Sequence, residues 1–154
     1  MAMAPLSNEK LPETARLWRY FRTGDFIDGY AVASPLSARD AAALGFRMPG
    51  WAMALLRFRN IIVRPFGLRT DRPANEAGIG MFPIEYEGPG EMILGFDDRH
   101  LDFRIGILGD GTVIRMGTWV RPHNLAGRIY LACVMPFHIL IVRNAMARIG
   151  RAVA

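Results

Sequence analysis

The side chains best suited to chemistry in this sequence are three histidines, a single cysteine and the polar run Asp97-Asp98-Arg99-His100 with Asp102. His138, one residue past Phe137, is the only group in a long apolar stretch that ordinarily titrates near neutral pH. It could act as a general base or as a polar anchor for a bound molecule. A lone histidine in an apolar helix is more often a satisfied structural group. It could close the bonding left open around Pro136, and no carboxylate can be placed beside it from sequence. The Asp97–Asp102 run has the ligand types of a cation site, but a tight turn would set Asp98 and Arg99 apart from His100 and Asp102. A turn plus an outer-face ladder of ion pairs accounts for it, and neither metal nor cofactor is expected. Asn124, after His123, is explained by helix capping. Cys133, being alone, forms no internal disulfide and no cysteine-pair metal site, and reads as a buried, inert thiol. No serine or cysteine sits in a nucleophile motif and no paired carboxylates are readable, so no catalytic residue is assigned.

The element that must position His138 is the run from Asn124 to Ile149, which reads as one long helix. Between Ile129 and Val142 it is apolar all round, which requires burial on nearly all sides or a place in lipid. The apolar part is short for a membrane span, so a buried core helix is expected and integral membrane association is not. Pro136 removes the amide that would bond the Ala132 carbonyl and predicts a kink.

In chain order, residues 1–24 read as a polar arm packed on the surface, interrupted by Leu17, Trp18, Tyr20 and Phe21. Residues 25–150 form the domain and 151–154 a tail. Phe26 to Val32 is a strand. Ser37 with Asp40 resembles a capping box opening a helix from Ala38 to about Leu44. A second helix, Gly50 to about Arg64, repeats Trp51, Leu55, Phe58 and Ile62 at helical spacing and carries Arg57, Arg59 and Arg64 on other faces. Leu68 to Gly78 is a loop. From Ile79 the period becomes two. Phe82, Ile84, Tyr86, Met92, Leu94, Phe96, Leu101, Phe103, Ile105, Ile107, Ile114, Met116, Thr118 and Val120 share one face of a four-stranded meander. Tight turns at Asp98-Arg99 and Asp110-Gly111 would set Phe96 opposite Leu101, Ile105 opposite Met116 and Leu101 opposite Val120. The other face would then be a mixed-charge surface containing Ile93 and Trp119. With Arg115 and Arg121 beside them, these two form a candidate homodimer or partner interface.

The net charge of +5 comes almost wholly from arginine, Lys10 being the only lysine. The arginines are scattered, with no basic block and no aromatic–basic motif, so no nucleic-acid partner is expected. The N-terminus has no apolar core for a signal peptide, and a cytoplasmic location is the consistent expectation.

Three blocks carry a family resemblance: Phe96-Asp-Asp-Arg-His-Leu-Asp-Phe103, His123-Asn-Leu-Ala-Gly-Arg-Ile-Tyr130 and Met135-Pro-Phe-His-Ile-Leu-Ile-Val142. With Pro49-Gly-Trp-Ala, Phe58-Arg-Asn60 and Arg64-Pro-Phe-Gly-Leu68, they resemble the bacterial domain of unknown function 2867 family over roughly Asp25 to Met146. Members of that family stand alone or follow nucleotide-binding reductase-like domains, and no glycine-rich phosphate loop of that kind occurs here. In the family's histidine block the residue after the histidine is often basic; here it is Ile139. The family is thought to be similar to the START and birch-allergen superfamily. This implies an α+β, helix-grip single domain, its antiparallel sheet wrapped around the C-terminal helix. Such a domain implies a small hydrophobic ligand between sheet and helix, lined by Trp51, Phe58, Phe82, Phe96, Phe103, Met116, Tyr130, Val134, Phe137 and His138. The competing expectation is that these side chains fill an ordinary core and the domain is a non-catalytic interaction or homodimerisation module.

Overall fold

Alternating apolar residues build the centre of the molecule, an antiparallel meander seen in a computed structural model. It describes residues 6–47, 49–66, 78–79 and 82–152, without the side chains of 62, 63 and 66. The strands are β1 (Ser7–Asn8), β2 (Phe26–Ile27), β3 (Tyr30–Ala33), β4 (Gly78–Ile79), β5 (Phe82–Gly88), β6 (Glu91–Asp97), β7 (Leu101–Gly109) and β8 (Val113–Pro122). They follow the order β1-β3-β8-β7-β6-β5-β4, with β2 also on β8. The helices are α1 (Ala38–Gly45), α2 (Gly50–Val63) and α3 (Leu125–Arg151). The result is a single α+β domain of helix-grip-like architecture, an antiparallel sheet packed against a long C-terminal helix. The expected loop from Leu68 lies outside the described residues as far as Ala77, and Gly78 opens β4.

The capping residues act as their chemistry dictates. The Ser37 hydroxyl accepts from the Asp40 amide at 3.1 Å and opens α1, and the Asn124 side chain accepts from the Gly127 amide at 2.9 Å and opens α3. α3 runs through Pro136 as one helix. The expected strand Phe26–Val32 is divided at Asp28-Gly29, a dipeptide with strong turn character.

The meander's register differs by two residues from that of tight turns. Phe96 pairs with Phe103, Phe103 with Val120 and Ile107 with Met116, while Asp102 faces Arg121 and Arg104 faces Trp119. Each turn is centred one residue later than expected, on Arg99-His100 and Gly111-Thr112, which shifts the pairing by two. At Asp110 the carboxylate accepts from the Thr112 and Val113 amides, both at 2.8 Å. At Asp98 the amide reaches the Leu101 carbonyl at 2.9 Å. Because the slip is even, the side chains of these strands keep their predicted faces. Tyr86 does not. A bulge between Ile84 and Tyr86 turns it over to the other side of the sheet.

The inner face packs Met92, Leu94, Ile107, Ile114 and Met116 against α1 and against Val142, Met146 and Ile149 of α3. The outer face is closed by residues expected to be a surface arm. Leu11, Ala15 and Leu17 pack on Ile93 and Trp119 as a second core, joined by Trp18, Tyr20 and Tyr86. The largest departure concerns α3. Only its last third is in the core; Leu125 is 71% exposed, Ile129 55% and Leu140 54%. Only one side of the helix faces the sheet, and the side bearing Leu125, Ile129 and Leu140 is left uncovered, so the expectation of burial on nearly all sides is overturned.

Candidate functional site: an apolar cleft between sheet and helices

Inward-pointing residues of β2, β5, β6, β7 and β8 form one wall of a cleft of about 460 Å³, and α2 with the first half of α3 forms the other. A period-two sheet face and two helix faces meet at an angle here, and the side chains do not fill the space between them. Phe82 meets Phe103 edge-on at 5.7 Å, and Phe103 meets Phe96 at 4.8 Å, a stack of rings along the sheet wall. Met116, Tyr130, Val134, Phe137 and His138 complete the predicted set, with Phe58 from α2. Phe58 and Phe137 are also 62% and 48% exposed, which places them at the mouth. Arg59 donates to the Tyr130 hydroxyl at 2.7 Å and ties α2 to α3.

Trp51 is the one predicted lining residue that the structure places elsewhere. It lies 42% exposed on the far side of α3, with Pro136, Ile139 and Leu140. Helical spacing put it on the face of Leu55 and Phe58, but that face is wider than the cleft. Sequence reasoning also missed Phe26, Leu101, Thr118 and Val120 as lining residues. Thr118 and Val120 could have been found, since both belong to the inward-facing alternation of β8.

His138 is held in the wall by a partner that sequence did not supply. Its Nε2 lies 2.9 Å from Asp28 Oδ2, and Asp28 Oδ1 accepts from the Thr118 amide at 2.8 Å. An ionised Asp28 favours the tautomer with the proton on Nε2, leaving Nδ1 as an acceptor. The histidine therefore does not serve the backbone around Pro136, as one sequence reading had it. Asp28 lies at the break between β2 and β3, and nothing in the sequence near it points to His138. Burial and the neighbouring Asp28 carboxylate raise the Tyr30 phenol above its ordinary value. Cys133 is exposed rather than buried, on the part of α3 that leaves the core, and it touches the cleft.

The polar groups of the outer face are consumed by one another. Arg104, buried, pairs with Glu85 and with Asp97, the latter at 2.8 Å. Arg121 pairs with Asp25 at 2.7 Å and donates to the Tyr20 carbonyl at 2.6 Å, while Trp119 Nε1 donates to Asp25 at 2.9 Å. Burial works to raise the Asp25 carboxyl, but these hydrogen bonds from Arg121 and Trp119, with one from the Arg22 amide, outweigh it and hold it below the ordinary range. Arg115 reaches Glu9 and Asp110. The candidate interface of Ile93, Trp119, Arg115 and Arg121 is thus not a free patch. Ile93 is 1% and Trp119 2% exposed, covered by the N-terminal segment.

The Asp97–Asp102 run is likewise divided among partners, Asp97 with Arg104 and Asp102 with His123 at 2.9 Å. Among the described residues no group of three or more His, Cys, Asp or Glu side chains could hold a metal. The Asp102 hydrogen bond, aided by the Arg99 carbonyl, outweighs burial and raises the His123 imidazole above its ordinary value. A raised folded value means the pair's stabilisation is fully present below about pH 6.5 and is lost as pH rises through the folded value. An NMR titration of the ring should show the elevated midpoint, and Asp102→Asn should return it toward the ordinary value. An unchanged midpoint in that variant would remove Asp102 as the cause.

Residues 20–145 match the model of a family described as a protein of unknown function, DUF2867. No curated protein matches the chain, and no solved structure does.

Proposed function

The chain belongs to the DUF2867 family, and we propose that it binds a small, mainly apolar molecule in the cleft between sheet and C-terminal helix. The observation that carries this reading is the composition of the wall. It is apolar almost throughout, with Thr118 and the Asp28-anchored His138 among its few hydrogen-bonding groups. Binding sites for small molecules have this character, an apolar body with a few placed polar groups that fix orientation. Transfer of apolar ligand surface from water supplies about 25 cal/mol per Å². His138, accepting at Nδ1, then selects a ligand that carries a donor such as a hydroxyl. The order of elements supports kinship with START-like helix-grip proteins, an argument from arrangement alone.

Native mass spectrometry of gently purified protein, beside its denatured spectrum, tests the reading. The expected result is an added mass that survives native conditions and departs on denaturation. His138→Phe, which keeps the ring but removes the acceptor, should weaken retention about tenfold, the value of one hydrogen bond. A bare polypeptide mass after incubation with a lipid extract, with no uptake of an apolar fluorescent probe, would sink the proposal.

A further inference from the structure

The exposed apolar surface of this protein is not scattered. Among the described residues every large apolar side chain left exposed lies on α2 or α3, led by Ile61 and Leu125, each 71% exposed. On α3, Leu125, Ile129, Pro136 and Leu140 recur at helical intervals along one side, while Val142, Met146 and Ile149 hold the opposite side in the core. On α2, Met53, Phe58 and Ile61 are exposed. Isolated exposed apolar residues are ordinary, but nine large ones confined to two helices mark a surface that is normally covered.

Charge identifies the cover. From Ala41 to Thr70, and again from Gly111 to the C-terminus, the sequence contains no Asp and no Glu. Both helices therefore carry only positive charge, with Arg57, Arg128 and Arg143 exposed. Among the described residues none of these three has a carboxylate partner. Arg143 falls on the same side of α3 as Leu125, Ile129 and Leu140, and Arg128, exposed in the first turn, flanks that side. A second copy docked face to face through a two-fold axis would set arginines near arginines with no carboxylate between them. An acidic, partly apolar surface answers both features. α3 is long and apolar enough to cross a membrane by length and composition. Yet the run between Arg128 and Arg143 is about 21 Å long, short of the roughly 30 Å hydrocarbon core, and the end of α3 is locked into the domain.

We propose that α2 and α3 together dock this protein on the surface of an anionic lipid bilayer. The apolar side chains enter the headgroup boundary and the arginines pair with lipid phosphates. Phe58 and Phe137, at the mouth of the cleft, lie on these same two helices, so the docked protein would present that mouth near the bilayer. The docking rests on exposure and charge and stands whether or not the cleft takes a ligand.

Flotation of the full chain with vesicles tests it. Vesicles of phosphatidylcholine alone are compared with vesicles that also contain phosphatidylglycerol, at low and at raised salt. The protein should float with the anionic vesicles only, and salt should weaken the association. Arg128→Gln with Arg143→Gln should reduce partitioning about 30-fold, and Ile129→Ser with Leu140→Ser should reduce it as well. All four positions are exposed, and circular dichroism would verify that the variants fold. Equal flotation with neutral and anionic vesicles, no flotation at low salt, or a salt-resistant dimer broken by Leu140→Ser would each overturn the proposal.

Discussion

Trp119→Ala will destabilise the protein by about 3–5 kcal/mol, the range for removing a large aromatic side chain from a packed core. That is a large part of the 5–15 kcal/mol by which domains are ordinarily stable. The side chain is 2% exposed and its ring lies 5.3 Å from that of Tyr20. Its indole N–H donates to Asp25, so the truncation also strips a hydrogen bond from a carboxylate that anchors Arg121. Around it are Leu11, Ala15 and Leu17, contributed by a segment far away in sequence. Urea titration measures the effect, and Trp51→Ala provides the control, since Trp51 is 42% exposed and should cost little. Equal losses for the two variants would mean that the N-terminal segment does not cover the sheet in solution.

Gly95→Ala should be nearly as damaging, at about 3 kcal/mol or more. Two effects combine: a strained backbone conformation and overpacking, each worth about 1–3 kcal/mol. Gly95 has φ +135°, where side chains are rarely accommodated, and it pairs with Arg104 across β6 and β7. A Cβ there would press into the Phe103 carbonyl oxygen and lie 3.0 Å from the Arg104 Cα. Both neighbours are backbone and cannot turn aside. Separation of β6 from β7 would also displace Phe96 and Phe103, which line the cleft, so retention of any bound molecule should fall with stability. Gly111→Ala is the informative comparison. Gly111 has a positive φ as well, but its Cβ would meet open space, so only the conformational part should be lost. If Gly95→Ala is no worse than Gly111→Ala, the close approach of the two strands is not as described.

Local chemistry determined a good deal of this protein from sequence alone. The period-two run from Phe82 to Val120 specified a meander and, Tyr86 aside, the inward face of each strand. Ser37 and Asn124 marked their helices because a capping side chain acts within three residues. The alternation also puts Phe82, Phe96, Phe103 and Met116 on the face that lines the cleft. The turn centres were beyond reach by one residue, and the pairing by two, since Asp98-Arg99 and Asp110-Gly111 each satisfy more than one turn. The bulge that turns Tyr86 over leaves no local mark.

What tertiary structure alone decided are the relations between distant segments. Asp28 meets His138 across 110 positions in the chain, so nothing near either residue announces the pair. Ile93 and Trp119 looked like a patch because they are large apolar residues on an otherwise mixed-charge face, and only the path of residues 6–24 over the sheet makes them core. The exposure of α3 is the converse case. Its apolar composition required a partner of some kind, yet burial depends on how many of its sides other elements cover, and the sheet faces only one side of this helix. Hydrophobic pattern states which side chains must leave water; the geometry of the whole chain decides whether the chain itself can cover them.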